Sequence, residues 1–152
     1  MEIEIARERP DSPEARLLIE ELDAYLIPMY PPESHHGYAV EKLIREGVAF
    51  FVARRDGAPL ACGGVQLYGR EYGEVKRMYV RPSSRGLGLG KRMLAQIAGY
   101  TREQGVPLLR LETGIYQHEA IGLYEKIGFT RISPFGEYGQ DPLSVYFEKR
   151  LA

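Results

Sequence analysis

Three glycines at alternate positions are the feature of this sequence most suggestive of chemistry. They lie in R-G-L-G-L-G-K (85–91), between an apolar strand-like run and a stretch with helical spacing. Free amides in the first turn of a helix bind anions, and glycines let the backbone wrap closely around a phosphate. A flexible connector is the alternative, but a connector does not need three glycines in this alternation. The pattern therefore predicts a site for a phosphate-bearing ligand.

The spacing of these glycines excludes two common phosphate-binding motifs. A P-loop requires G-x-x-x-x-G-K-[ST], but Arg85 replaces its first glycine and Arg92 replaces its Ser or Thr. The dinucleotide fingerprint G-x-G-x-x-G fails because the third glycine comes one residue early. The stretch does match R-x-x-G-x-G, from Arg85 to Gly90.

Length and charge restrict the class of protein. The chain has 152 residues, which predicts a single domain (1–152) whose core needs neither a disulfide nor a metal. Lys and Arg (20) nearly balance Asp and Glu (21), which argues against a nucleic-acid partner, although a local basic patch at 76–92 stays open. The single cysteine, Cys62, excludes an internal disulfide and a multi-thiolate zinc site. We therefore expect no metal.

The N-terminal residues are too charged for a secretory signal, and no apolar run approaches the roughly 20 residues of a membrane span. These observations predict a protein in a reducing, cytoplasmic setting without a membrane partner.

Hydrophobic periodicity predicts an α/β fold with the order β-α-α-β-β-β-α-β-α-β-β. Asp56-Gly57 predicts a type I′ hairpin turn, and Gly63-Gly64 predicts a bulge or a close backbone approach. Hairpins early and helical crossovers later indicate a mixed, mostly antiparallel sheet with helices on its faces. Strands are expected at 2–7, 48–55, 58–68, 74–80, 107–113 and 143–151, and helices at 12–27, 39–45, 89–105 and 119–127.

On these elements the chain resembles the GNAT family of N-acetyltransferases, enzymes that transfer an acetyl group from acetyl-CoA to an amine. The resemblance covers residues 74 to about 130. It includes E-V-K-R-M-Y-V (74–80), the glycine turn with its helix, L-R-L-E-T (109–113) and L-Y-E-K-I-G-F (123–129). It implies acetyl-CoA as the cosubstrate and a GNAT-like mixed sheet.

The resemblance also implies which residues bind the cofactor. The pantetheine arm is expected beside Met78, Tyr79 and Val80, where a bulge splays this strand from the next. Gln117 replaces an asparagine that contacts the pantetheine in many members, and its amide lies one methylene further out. The CoA pyrophosphate is expected on the amides of Arg85, Gly86, Leu87, Gly88, Leu89, Gly90 and Lys91.

The resemblance implies three catalytic roles: a general acid, an oxyanion donor and a general base. Tyr124 matches the tyrosine that protonates the CoA thiolate, although the helical pattern alone also allows a packing tyrosine. The backbone N–H of Met78 or its neighbour is the expected oxyanion donor. Glu74 is the first candidate for general base, Glu112 is the second, and a base acting through water is a third option.

The expected activity is transfer of an acetyl group to a primary amine, directly and in a ternary complex, since Cys62 lies outside the matching motifs. A non-catalytic acyl-CoA-binding sensor and a different nucleotide-binding enzyme are the alternatives. The acceptor, a small-molecule or peptide amine, stays open, and homodimers are common in the family. Candidate acceptor contacts lie in two loops and are Tyr30, Glu33, His35, His36, Tyr38, Glu137 and Tyr138.

Overall fold

Seven strands form one open sheet in the computed structural model, which describes residues 2–36 and 38–151. The element order is the predicted one, so the α/β fold class is confirmed. The elements are β1 (Ile3–Arg7), α1 (Pro13–Leu26), α2 (Val40–Arg45), β2 (Ala49–Arg55), β3 (Ala58–Tyr68), β4 (Tyr72–Val80), α3 (Leu89–Glu103), β5 (Leu108–Gly114), α4 (His118–Lys126), β6 (Thr130–Ile132) and β7 (Ser144–Arg150).

Local sequence signals account for two boundaries. Ser12 caps α1, because its Oγ accepts a hydrogen bond from the backbone N–H of Ala15 at 3.1 Å. Asp56 and Gly57 have φ values of 51° and 80°, as a type I′ turn between β2 and β3 requires. The hairpin turn predicted at Asp56-Gly57 is confirmed.

The sheet has the strand order β1-β2-β3-β4-β5-β7-β6. Its pairs are antiparallel except for β4 and β5, which are parallel. Helices α1 and α2 cover one face, where Leu18 and Leu43 pack against Phe50. Helices α3 and α4 cover the other face, where Met93 and Tyr124 belong to the main core cluster. No helix in the described ranges is long and apolar enough to cross a membrane.

The parallel pair is short, and this opens the sheet. β4 and β5 are paired only at Gly73 with Leu109 and at Glu74 with Arg110. Further along β4 there is a bulge, because Lys76 pairs with Gly64 while Tyr79 pairs with Cys62. The strands therefore separate beyond Glu74 and leave a V-shaped gap.

The bulge depends on two unusual backbone positions. Arg77 has a φ of 54°, a left-handed conformation that side chains rarely adopt. A Cβ at Gly63, on the facing strand, would lie 2.9 Å from Met78 Sδ. The predicted bulge or close approach at Gly63-Gly64 is confirmed, and the extra residue of the bulge lies in the adjacent strand β4.

The predicted basic patch is not a continuous exposed surface. The side chains of Lys76 and Arg77 are 6% and 4% exposed, and each is paired with a carboxylate. Arg81 forms an ion pair with Glu21 at 2.6 Å. Strand alternation and the bulge turn these cations inward.

Candidate active site

Two cavities meet inside the V-shaped gap. The outer cavity, of about 430 Å³, lies between the end of β4, the glycine turn and the start of α4. The inner cavity, of about 170 Å³, lies between β4, β5 and residues 27–36, which we call the covering segment. The residues that border both are Leu22, Met78, Gln117, Ala120 and Tyr124.

The glycine turn opens onto the outer cavity. Gly86 and Gly88 have φ values of 88° and 70°, and a Cβ on either would meet open space. Gly88 is the N-cap of α3 and has no side chain to bond the first amides of the helix. Those amides are therefore available to an anion, and the 15-residue helix adds its dipole.

The third glycine serves packing. A Cβ at Gly90 would lie 2.6 Å from Leu123 Cδ2, so glycine lets α3 approach α4 closely. This approach brings the anion-binding end of α3 beside the N-terminus of α4. Of the seven residues predicted for the pyrophosphate, Leu87 is the one that does not border the outer cavity. The bordering ones are Arg85, Gly86, Gly88, Leu89, Gly90 and Lys91.

Met78, Tyr79 and Val80 also border the outer cavity. The pairing of β4 with β5 ends at Glu74, so the side of β4 toward β5 is open along these residues. An extended ligand placed there can take the position of an added strand. Met78 borders both cavities, next to the bulge at Arg77.

Tyr124 lies where the cavities meet and also packs in the core. Its ring contacts Phe129 and Phe147, with centroids at 5.6 and 6.1 Å. Burial, and then the negative charge of Glu112, raises the pKa of Tyr124, so its hydroxyl stays protonated at neutral pH. The packing and cavity interpretations of this residue are therefore compatible.

The two candidate bases have different surroundings. Glu112 borders the inner cavity and accepts a hydrogen bond from Ser144 Oγ at 2.8 Å, and burial raises the pKa of its carboxyl group. Glu74 borders neither cavity and is 3% exposed. Its carboxylate is 2.9 Å from Lys76 Nζ and accepts a hydrogen bond from the Tyr138 hydroxyl at 2.5 Å.

Gln117 immediately precedes α4, and its side chain is held from the other side of the gap. Its Oε1 accepts a hydrogen bond from the hydroxyl of Tyr30 at 2.8 Å. The same hydroxyl accepts a hydrogen bond from the backbone N–H of Tyr116 at 3.0 Å. The covering segment is thereby joined to the turn between β5 and α4.

A second set of contacts fixes the covering segment. His36 Nε2 is 2.9 Å from Asp141 Oδ2, and Ser34 Oγ donates to Asp141 Oδ1 at 3.1 Å. Glu33 and Glu137 are exposed and do not border the inner cavity. The candidate acceptor contacts that do border it are Tyr30, His35, His36, Tyr38 and Tyr138.

Several partners of these residues were not predicted. The position of Lys76 could have been predicted, because the alternation of side chains along a strand puts it on the same face as Glu74 and Met78. The positions of Ser144 and Asp141 could not have been predicted, since each contacts a residue more than 30 positions away in the sequence.

The geometry is that of a two-compartment site, in which an anion-binding cavity meets a second cavity beside a buried tyrosine. Comparison with known proteins identifies the family, since the model of the Acetyltransferase (GNAT) family matches residues 16–129. The chain belongs to this family and is an acyltransferase.

Relatives agree with this assignment over the full length of the chain. A protein named "IAA acetyltransferase" from Azospirillum brasilense is 46% identical over 150 residues, 98% of each chain. A structure described as an acyl-CoA N-acyltransferase from Klebsiella pneumoniae is 34% identical, with a TM-score of 0.84 over 99% of this chain and 98% of that one. PaiA N-acetyltransferase from Thermoplasma acidophilum, solved with coenzyme A, shares the fold at 20% identity, with a TM-score of 0.77 over 99% of both chains.

Proposed function

We propose that this protein transfers an acetyl group from acetyl-CoA directly to a primary amine within a ternary complex. The observation that carries the proposal is the meeting of the two cavities at Met78 and Tyr124. A donor in the outer cavity and an acceptor in the inner cavity then present the thioester and the amine to each other. Such positioning supplies much of the rate enhancement of a two-substrate reaction.

The donor is held by backbone groups more than by side chains. The CoA pyrophosphate binds the free amides at the start of α3, with Arg85 and Lys91 as flanking cations. The pantetheine arm lies along the open side of β4, at Met78, Tyr79 and Val80, with Gln117 opposite. The acetyl group then lies near Met78 and Tyr124.

Transfer requires three proton movements and one stabilised oxyanion. Glu112 accepts a proton from the acceptor ammonium, directly or through water, and the amine lone pair attacks the thioester carbonyl carbon. The backbone N–H at Met78 donates to the oxyanion that forms. When the carbon–sulfur bond breaks, the Tyr124 hydroxyl protonates the CoA thiolate, and the nitrogen releases its second proton, directly or through water, to restore the hydroxyl of Tyr124.

Glu112 is favoured over Glu74 as the base because of access and protonation. Glu112 borders the acceptor cavity, and burial raises the pKa of its carboxyl group toward the working range of a general base. Glu74 is held by Lys76 and Tyr138 behind the cavity wall. Its role is to fix these two side chains.

The position of the one cysteine supports the proposal of direct transfer. Cys62 is fully buried in β3, and burial raises the pKa of its thiol to about 12. It borders neither cavity, so it does not reach a thioester in this gap. A covalent acetyl-cysteine intermediate therefore has no support.

The size of the inner cavity favours a small acceptor. Its volume of about 170 Å³ is below the roughly 300 Å³ at which typical ligand pockets begin. The covering segment closes it on one side through Tyr30 and His36. A small-molecule amine, or one side chain of a peptide, fits these limits.

Initial-velocity kinetics with a panel of primary amines tests the proposal. IAA, which appears in the name of the relative from Azospirillum brasilense, is tested beside the amines as a separate candidate acceptor. We expect intersecting double-reciprocal plots and no mass increase when the enzyme is incubated with acetyl-CoA alone. Parallel plots with a gain of one acetyl group on the protein would contradict direct transfer. Binding of acetyl-CoA without turnover of any amine would favour a sensor.

A further inference from the structure

The hydroxyl of Tyr30 occupies a site that is built around it. A Cβ at Gly114 would lie 2.0 Å from this oxygen, so the end of β5 accommodates the tyrosine only because residue 114 is glycine. The ring of Tyr30 stacks on Tyr116 with centroids 5.3 Å apart, and Tyr30 is 8% exposed. This fit holds the side chain in one position at the border of the inner cavity.

The hydrogen bonds of this hydroxyl determine how Gln117 is oriented. A backbone N–H only donates, so the Tyr30 oxygen accepts from Tyr116 and gives its single proton to the other partner. That partner is the Gln117 oxygen, at 2.8 Å. The amide NH₂ of Gln117 is therefore left as a donor for another group. Gln117 borders the outer cavity as well as the inner one.

We infer that Tyr30 is a positioning residue for the acetyl donor: it fixes the Gln117 amide so that its NH₂ group donates to an amide carbonyl of pantetheine. The inference rests on the proposed function, because it requires CoA in the outer cavity. It also explains how a glutamine serves at this position, since the extra methylene lets the side chain reach Tyr30. The covering segment of the acceptor site thus contributes to donor binding.

The contact extends into the covering segment through the main chain. The carbonyl oxygen of Tyr30 is 2.7 Å from His35 Nε2, and both residues border the inner cavity. A donor bound by Gln117 is therefore linked, through Tyr30, to one wall of the acceptor cavity. Acetyl-CoA is expected to bind first and to lower the KM of the acceptor.

A double-mutant cycle tests the inference, with the Kd of CoA measured by calorimetry for wild type, Tyr30→Phe, Gln117→Ala and the double variant. Tyr30→Phe keeps the ring and its stacking but removes the hydrogen bond, so the Kd rises about two- to tenfold. In the Gln117→Ala background the same change has no further effect, because the amide to be oriented is gone. Tyr100→Phe, which removes a hydroxyl that borders neither cavity, leaves the Kd unchanged.

Gly114→Ala tests the same contact from the other side. Its methyl group displaces the Tyr30 hydroxyl, so the Kd of CoA rises, whereas in a Tyr30→Ala background the added methyl has no effect. If Tyr30→Phe lowers the melting temperature but leaves the Kd at the wild-type value, Tyr30 is structural and the inference is overturned. The inference is also overturned if the effects of Tyr30→Phe and Gln117→Ala on the free energy of CoA binding add fully in the double variant. If wild type itself does not bind CoA, the proposed function fails as well.

Discussion

At the scale of single residues, Tyr124 combines core packing with a hydroxyl at the junction of the cavities. Tyr124→Phe keeps the contacts with Phe129 and Phe147 and removes only the proton donor. We expect kcat to fall about 100-fold, while the KM for acetyl-CoA stays nearly unchanged. Steady-state kinetics at neutral pH checks this. A large loss of CoA binding, with kcat retained, would instead make Tyr124 a structural residue.

The pH dependence of the reaction tests Glu112. A base acts only when deprotonated, so activity falls as the pH drops through its pKa, which burial raises above the ordinary glutamate value. Glu112→Gln keeps a side-chain oxygen for the Ser144 hydroxyl but cannot take a proton. We expect kcat/KM to fall about 100-fold or more and this acidic limb of the pH profile to disappear.

Glu74→Gln is the matched control, because Glu74 forms an ion pair with Lys76 whereas Glu112 accepts a hydrogen bond from Ser144. Removing the negative charge of Glu74 leaves Lys76 buried without its carboxylate, which costs about 3–5 kcal/mol of folding free energy. Within residues 2–36 and 38–151 Glu112 forms no ion pair, and the charges of His36 and Lys76 act on it only at longer range, so Glu112→Gln is expected to unfold at or above the wild-type temperature. If Glu74→Gln removes the acidic limb and Glu112→Gln does not, the base is Glu74.

Roles that follow from a local sequence motif were predictable, whereas roles that depend on contacts with residues distant in sequence were not. The glycine spacing indicated an anion site, and the motif around Tyr124 indicated its helix. The difference between Glu74 and Glu112 was only partly predictable. Strand alternation places Lys76 beside Glu74, but Tyr138 reaches Glu74 only when the loop before β7 folds over β4, and Ser144 reaches Glu112 only when β5 and β7 pair.

At the scale of elements, three glycines in one turn have separate physical reasons. Gly86 and Gly88 adopt left-handed φ values beside open space, and Gly90 allows the contact between α3 and α4. Their common result is a bare helix start that faces the outer cavity. The prediction of a phosphate site came from the alternation, whereas the packing role of Gly90 required the position of Leu123.

The bulge in β4 is the element that creates the gap. Its left-handed residue is Arg77, and nothing in an arginine predicts such a conformation. The feature that predicted the bulge was Gly63, on the neighbouring strand. Element order was predictable because hydrophobic periodicity is local. The bounds of β6 (Thr130–Ile132) were not predicted, because a three-residue strand has too little periodicity to read.

At the scale of the whole molecule, the site is a separation within the sheet itself. The strands β1 to β4 and the strands β5 to β7 are joined in the ladder only at Gly73 and Glu74. Helices α1 and α4 approach the gap from the two sides, through Leu22 and Tyr124. Donor and acceptor binding therefore depend on the same opening, which links the glycine turn to the covering segment.

The most direct test of this account is thermal unfolding with acetyl-CoA, CoA, ATP or NAD, each at about 100 times a plausible Kd. The two CoA compounds are expected to stabilise wild type by about 2.7 kcal/mol, or about 5–10 °C. Gly88→Asp, whose carboxylate opposes the pyrophosphate, is expected to lose the shift. Gly88→Asn matches it in size and tolerates the left-handed backbone, so it should keep part of the shift. No shift of wild type with either CoA compound, or an equal shift with ATP or NAD, would contradict the account.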